Sequence, residues 1–95
     1  MKTESDTLTK TKISIETARV NQRERNLIVY NDDVNTFDFI IESLITVCKH
    51  EREQAEQCAH IIHFKGKCAV KVGSFRKLQP LCEALADRGI SAVIE

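Results

Sequence analysis

Four β-prone residues, Leu27-Ile28-Val29-Tyr30, run directly into Asn31-Asp32-Asp33, and an apolar stripe at helical spacing begins a few residues later. This junction constrains the chain more than any other stretch. The branched and aromatic run favours a strand, and the Asn-Asp-Asp cluster stops it. Phe37, Ile40, Ile41, Leu44 and Cys48 then recur as one face of a helix over about Thr36 to Cys48. Asn35 is the expected N-cap, and Asp38 adds negative charge to the first turn.

The same reading extends to the end of the chain. A second helix is expected over about Glu51 to Phe64, with Glu51, Arg52, Glu53 and Glu56 outward and Ala55, Cys58, Ala59 and Ile62 inward. Gly66 stands where a helix end needs a left-handed residue. "KCAVKV" alternates as a strand and ends at Gly73-Ser74. A third helix is expected over about Leu78 to Arg88, with Leu78, Leu81, Cys82 and Leu85 inward and Gly89 as its stop. Pro80 fits only its first turn, which sets the start of regular structure near Gln79. "ISAVIE" alternates again as a last strand. The order β-α-α-β-α-β predicts a small α+β domain over residues 25–95, with a three-stranded sheet packed against helices. Residues 1–24 lack a sustained period and read as a flexible tail, although "TKISIETARV" alternates enough for a short strand.

Composition excludes several classes of function. Fourteen basic and fourteen acidic side chains cancel, and five aromatic residues (four Phe, one Tyr, no Trp) offer little for base stacking, so nucleic acid is not an expected partner. No apolar stretch approaches the roughly 20 residues that span a bilayer, so no membrane partner is expected either. "MKTESDTLTKTK" has no apolar signal core, and Cys48, Cys58, Cys68 and Cys82 form no close pair in sequence. Reduced thiols used as small core residues, in a cytoplasmic monomer, are the expectation.

Asp32 and Asp33 with His63 are the leading candidates for chemistry. Asn-Asp-Asp is ordinary turn material, but a strand-to-helix junction also orients a carboxylate through backbone amides. An acidic lip facing a neutral imidazole would suit a ligand ammonium, with apolar walls behind it for a side chain. Metal is the weaker reading: of Cys58, His60 and His63, with His50 nearby, Cys58 and His60 are badly spaced on a helix, and no CxxC-type pair accompanies them. With three glycines there is no phosphate-cradling loop, and no nucleophile sits in a strained elbow. No enzyme and no cofactor is expected.

The residues "NDDVNTFDFIIESL", followed thirty residues after Asp33 by "HFKGK", resemble the ClpS adaptor family over about residues 26–95. The resemblance implies the small fold shared with the carboxy-terminal domain of the ribosomal stalk protein. It also implies an adaptor that binds N-degron substrates, proteins beginning with Leu, Phe, Tyr or Trp, and delivers them to a Clp AAA+ unfoldase of the ClpA or ClpC type. It assigns Asn31, Asp32 and His63 to the substrate's α-ammonium, and Asp33 and Asn35 to the adjoining turn. Phe37, Ile40, Ala59, Ile62 and Ile90 fall on hydrophobic-pocket positions. Binding that needs a neutral imidazole is expected to weaken below about pH 6. The chain departs from the family in three places. It has Asn35-Thr36-Phe37 where Thr-Pro-Met is common, the small Ala59 where a larger residue is common, and the basic "SFRKLQP" near the docking surface. The alternative is an interaction domain of the same shape that modulates a Clp unfoldase without reading amino termini.

Overall fold

The structure is a computed structural model, and it describes residues 23–95. The expected tail therefore lies outside the described residues, apart from Arg23 and Glu24. Strand β1 (Arg25–Tyr30) is followed by helices α1 (Phe37–Cys48) and α2 (Arg52–Lys65), strand β2 (Lys67–Gly73), helix α3 (Phe75–Asp87) and strand β3 (Ala92–Ile94). The element order is the expected one.

β1 is the central strand of a three-stranded sheet in the order β2-β1-β3, antiparallel on both sides. Leu27 and Val29 of β1 are fully buried in a core completed by Ile41, Leu44 and Cys48 of α1, Ala55 and Cys58 of α2, and Leu78 and Leu85 of α3. The apolar stripes read from the sequence thus meet one face of the sheet, which is what makes a chain of this size stable. All four cysteines are free thiols, as expected. No helix among the described residues is long and apolar enough to cross a membrane.

Three local expectations are corrected. The cap of α1 is Thr36, whose Oγ1 accepts from the Phe39 N–H at 3.0 Å, because Asn35 is engaged elsewhere in the loop. Phe37, expected on the core stripe, lies at the first helical position and is 39% exposed. Helix α3 begins at Phe75, capped by the Ser74 hydroxyl, so Pro80 lies inside its second turn. The missing proline N–H leaves the carbonyl of exposed Arg76 to solvent, which limits the usual cost of an interior proline. The end of α2 is as expected: Gly66 takes a left-handed φ of 95° and its N–H returns to the Ile62 carbonyl.

Candidate functional site

The loop between β1 and α1 is organised around one carboxylate. Asp32 Oδ1 accepts from the backbone N–H of Val34 (2.9 Å) and of Asn35 (2.8 Å), and Oδ2 accepts from the Asn35 side-chain amide (2.8 Å). These donors, the Asn35 backbone N–H first, hold the Asp32 pKa below its ordinary value against a smaller opposing effect of burial. The same Asn35 amide also donates to the Gly89 carbonyl at 2.9 Å, tying the loop to the turn after α3, beside Ile90. At its start, the loop is held by the Asn31 N–H, which donates to the Gly66 carbonyl at 2.9 Å and so fixes Asn31 against the end of α2.

His63 and Phe37 meet at that same end. Their rings stand perpendicular with centroids 6.3 Å apart, and Phe37 makes a closer perpendicular contact with His60 at 5.5 Å. Phe64 extends the cluster, stacked on His60 at 5.2 Å and edge-on to His63 at 4.9 Å. Among the described residues no hydrogen bond joins His63 to Asp32 or Asp33; His63 is exposed on the last turn of α2, and Asp33 is exposed on the loop.

The remaining pocket candidates lie deeper. Ile40, Ala59, Ile62 and Ile90 retain 7, 2, 2 and 3% of their exposure and are members of the core. These four, from α1, α2 and the turn before β3, belong to one buried apolar cluster, called the seam below, and Phe37 lies exposed three residues before Ile40. The seam is closed. A groove of about 510 Å³ lies elsewhere, on the outer face of α2, lined by Glu53, Glu56, Gln57, His60 and Ile61. It touches the ring cluster only at His60. Its carboxylates, Glu53 and Glu56, are not held by backbone donors as Asp32 is, and Glu56 faces Arg52 at 3.5 Å, so the loop remains the better candidate.

The metal reading is dispersed by the fold. His50 is buried with Nε2 donating to the Val70 carbonyl at 2.7 Å, Cys58 points into the core, and His60 faces outward. Among the described residues no group of three potential ligands forms a site. Two features were missed from the sequence: the reach of Asn35 to Gly89 and the ring contacts of His60 and Phe64. The spacing of His60 and Phe64, four apart on one helix, was a readable signal for the stack.

The search of curated proteins matched nothing. Solved structures that match include that of Agrobacterium tumefaciens ClpS2 bound to L-phenylalaninamide. It is 18% identical with a TM-score of 0.69, over 76% of this chain and 94% of that one. The sequence model of the family described as "ATP-dependent Clp protease adaptor protein ClpS" matches residues 20–91, most of the chain and all of the loop and seam, so the chain belongs to the ClpS family.

Proposed function

We propose that the chain receives the free amino terminus of a protein whose first residue is bulky and apolar or aromatic, and delivers that protein to a Clp AAA+ unfoldase. The observation that carries this reading is the state of Asp32. A carboxylate has about four acceptor positions, and the loop occupies two on Oδ1 and one on Oδ2. Its charge is fixed in place, and one position on Oδ2 remains for an incoming donor. An α-ammonium brings a charge and three donors. In this reading Asn31 and His63, both exposed beside the loop, supply the other acceptors.

The seam of Ile40, Ala59, Ile62 and Ile90, with Phe37 at its mouth, takes the first side chain. The ligand of the Agrobacterium ClpS2 structure, L-phenylalaninamide, has the chemistry this arrangement would recognise: a free α-amino group, an aromatic side chain and an amide that stands for the next peptide bond. Asp33 and Asn35 order the turn. Nothing in the binding step requires a covalent change or a cofactor, so in this reading the role is that of an adaptor and not of an enzyme, and the expectation of a cytoplasmic monomer goes with it.

A fluorescence titration of the protein with a Leu-initiated peptide and its acetylated counterpart tests the reading. Acetylation removes charge and donors together, and micromolar or tighter binding of the free form with at least about 30-fold loss on acetylation is expected. Equal affinity for both peptides would leave the alternative, a domain that modulates a Clp unfoldase without reading amino termini.

A further inference from the structure

We infer that Arg88 is a positioning residue for the amino-terminus site: it fixes the turn after α3 against α1, and through Gly89 and Asn35 it sets the stance of the Asp32 carboxylate. The inference rests on the amino-terminus reading and adds to it a residue from outside the loop and the seam. The Asn35 amide gives one hydrogen to Asp32 Oδ2 at 2.8 Å and the other to the Gly89 carbonyl at 2.9 Å. An amide anchored at one end only can turn about its side-chain torsions, so the Gly89 carbonyl is what makes Asn35 a fixed donor to the carboxylate.

That carbonyl is an anchor only while its own turn is held. Within α3 the turn is closed by backbone bonds: the Arg88 and Ile90 N–H groups both donate to the Leu85 carbonyl at 3.0 Å, and the Gly89 N–H donates to the Ala86 carbonyl at 2.9 Å. None of these bonds reaches α1. Arg88 does. Its guanidinium lies over the Phe39 ring, 5.9 Å from the centroid, and Nη1 donates to Ser43 Oγ at 3.1 Å. Phe39 and Ser43 are four apart on one face of α1, and Ser43 is fully buried. The guanidinium is therefore held at two points of the helix that begins where the loop ends. From Ser43 the connection runs through Arg88, Gly89 and Asn35 to Asp32 without a break.

An α-ammonium is the same in every substrate, so a residue that acts through the Asp32 carboxylate affects all amino termini alike. A residue of the seam acts on the first side chain and changes the ranking among them. A contact that only supports the fold changes the melting temperature and leaves the Asn35 amide where it is. These three roles give different measurements, and Arg88 is assigned the first.

The test titrates fluorescent Leu- and Phe-initiated peptides against the full chain and its variants. R88M keeps a stem over Phe39 and loses the donors; it is expected to weaken both peptides about three- to tenfold and by the same factor. R88K, which keeps a charge and a donor for Ser43, is expected to recover part of the loss, and S43A to repeat it in smaller measure. In an N35A background R88M is expected to have no further effect, because its action passes through Asn35. Unchanged affinity in R88M, a loss that differs between the two peptides, or full additivity with N35A overturns the assignment. NMR of the free proteins supplies a readout that needs no peptide. The Asn35 side-chain amide protons are expected to shift in R88M and to return toward their wild-type positions in R88K; if they stay put in R88M, the assignment is overturned even where peptide binding falls. If they shift while the wild-type protein binds neither peptide, the hold of Arg88 on the loop stands and the amino-terminus reading is what has failed.

Discussion

The loop from Asn31 to Thr36 and the seam behind it are neighbours built on opposite principles. The loop buries little, yet directional bonds to the Asp32 carboxylate, Gly66, Gly89 and Thr36 hold it at both ends and through its middle. The seam of Ile40, Ala59, Ile62 and Ile90 consists of apolar side chains, and its order is packing. A hydrogen-bonded loop cannot drift without leaving donors unpaired, whereas an apolar seam can open for another apolar group at little polar cost. A receptor for amino termini needs both properties. The charge to be met is the same in every substrate, so its acceptors can be rigid, and the first side chain varies, so its pocket must yield.

Substitution at Asp32 should break this contrast most severely. Asp32→Ala is expected to lower affinity for a Leu- or Phe-initiated peptide by about 2 kcal/mol or more, near 30-fold, by removing the countercharge of the ammonium. It should also cost about 1–2 kcal/mol of stability, because two backbone N–H groups and the Asn35 amide lose their acceptor. Asp32→Asn separates the two effects. Its side-chain oxygen can still accept from Val34 and Asn35, so thermal melting should recover part of the loss while peptide titration does not. Unchanged affinity in a folded Asp32→Ala protein would remove Asp32 from the site.

On the side of the seam, Phe37→Ala is the matching change. A β-branched first residue carries its bulk next to the ammonium, where an aromatic at the rim leaves least room, so wild type should favour Leu over Ile and Val by about tenfold or more. Phe37→Ala is expected to narrow that gap by improving Ile and Val, as measured by competition titration. Equal weakening of every peptide with the Leu-to-Ile ratio unchanged would make Phe37 a packing residue only. The stability of Phe37→Ala should change little, because the ring is well exposed and outside the core cluster.

The two regions were also unequally legible in the sequence. Ile40, Ala59 and Ile62 follow from helical periodicity, since burial repeats every three or four residues and needs no knowledge of the partner. Phe37 obeys the same spacing and is nevertheless half out, because it occupies the first helical position, before the helix has come to lie against the core. In the loop the residue types pointed to a turn and to an acidic lip, but not to the division of labour among them. Asn35 and Thr36 are both good caps; only the competing demand of Asp32 and Gly89 on Asn35 decides for Thr36, and Gly89 is 54 residues away. Local rules favour a first-turn position for Pro80, while Ser74 offers a side-chain cap to the Lys77 N–H and extends α3 past it.

Acid titration offers the finest test of the contrast, and its sign follows from the Asp32 environment. The folded-state pKa lies below the ordinary value of 3.8, chiefly through the Asn35 backbone donor. The resulting stabilisation is therefore complete above the unfolded pKa and is lost as pH falls through the lower folded value. The difference in unfolding free energy between wild type and Asp32→Asn should be level from about pH 5 to 7 and shrink below about pH 4. Solvent screening of a half-buried surface carboxylate keeps the change below about 1 kcal/mol. The seam contains no group that titrates in that window, so the corresponding difference for Phe37→Ala should stay flat. A Phe37→Ala difference that fell with the Asp32→Asn difference, measured by denaturant melts between pH 3 and 5, would mean that the ring and the carboxylate act as one unit. Loop and pocket would then open together, and the rigid acceptor and the yielding wall would be two faces of a single moving part.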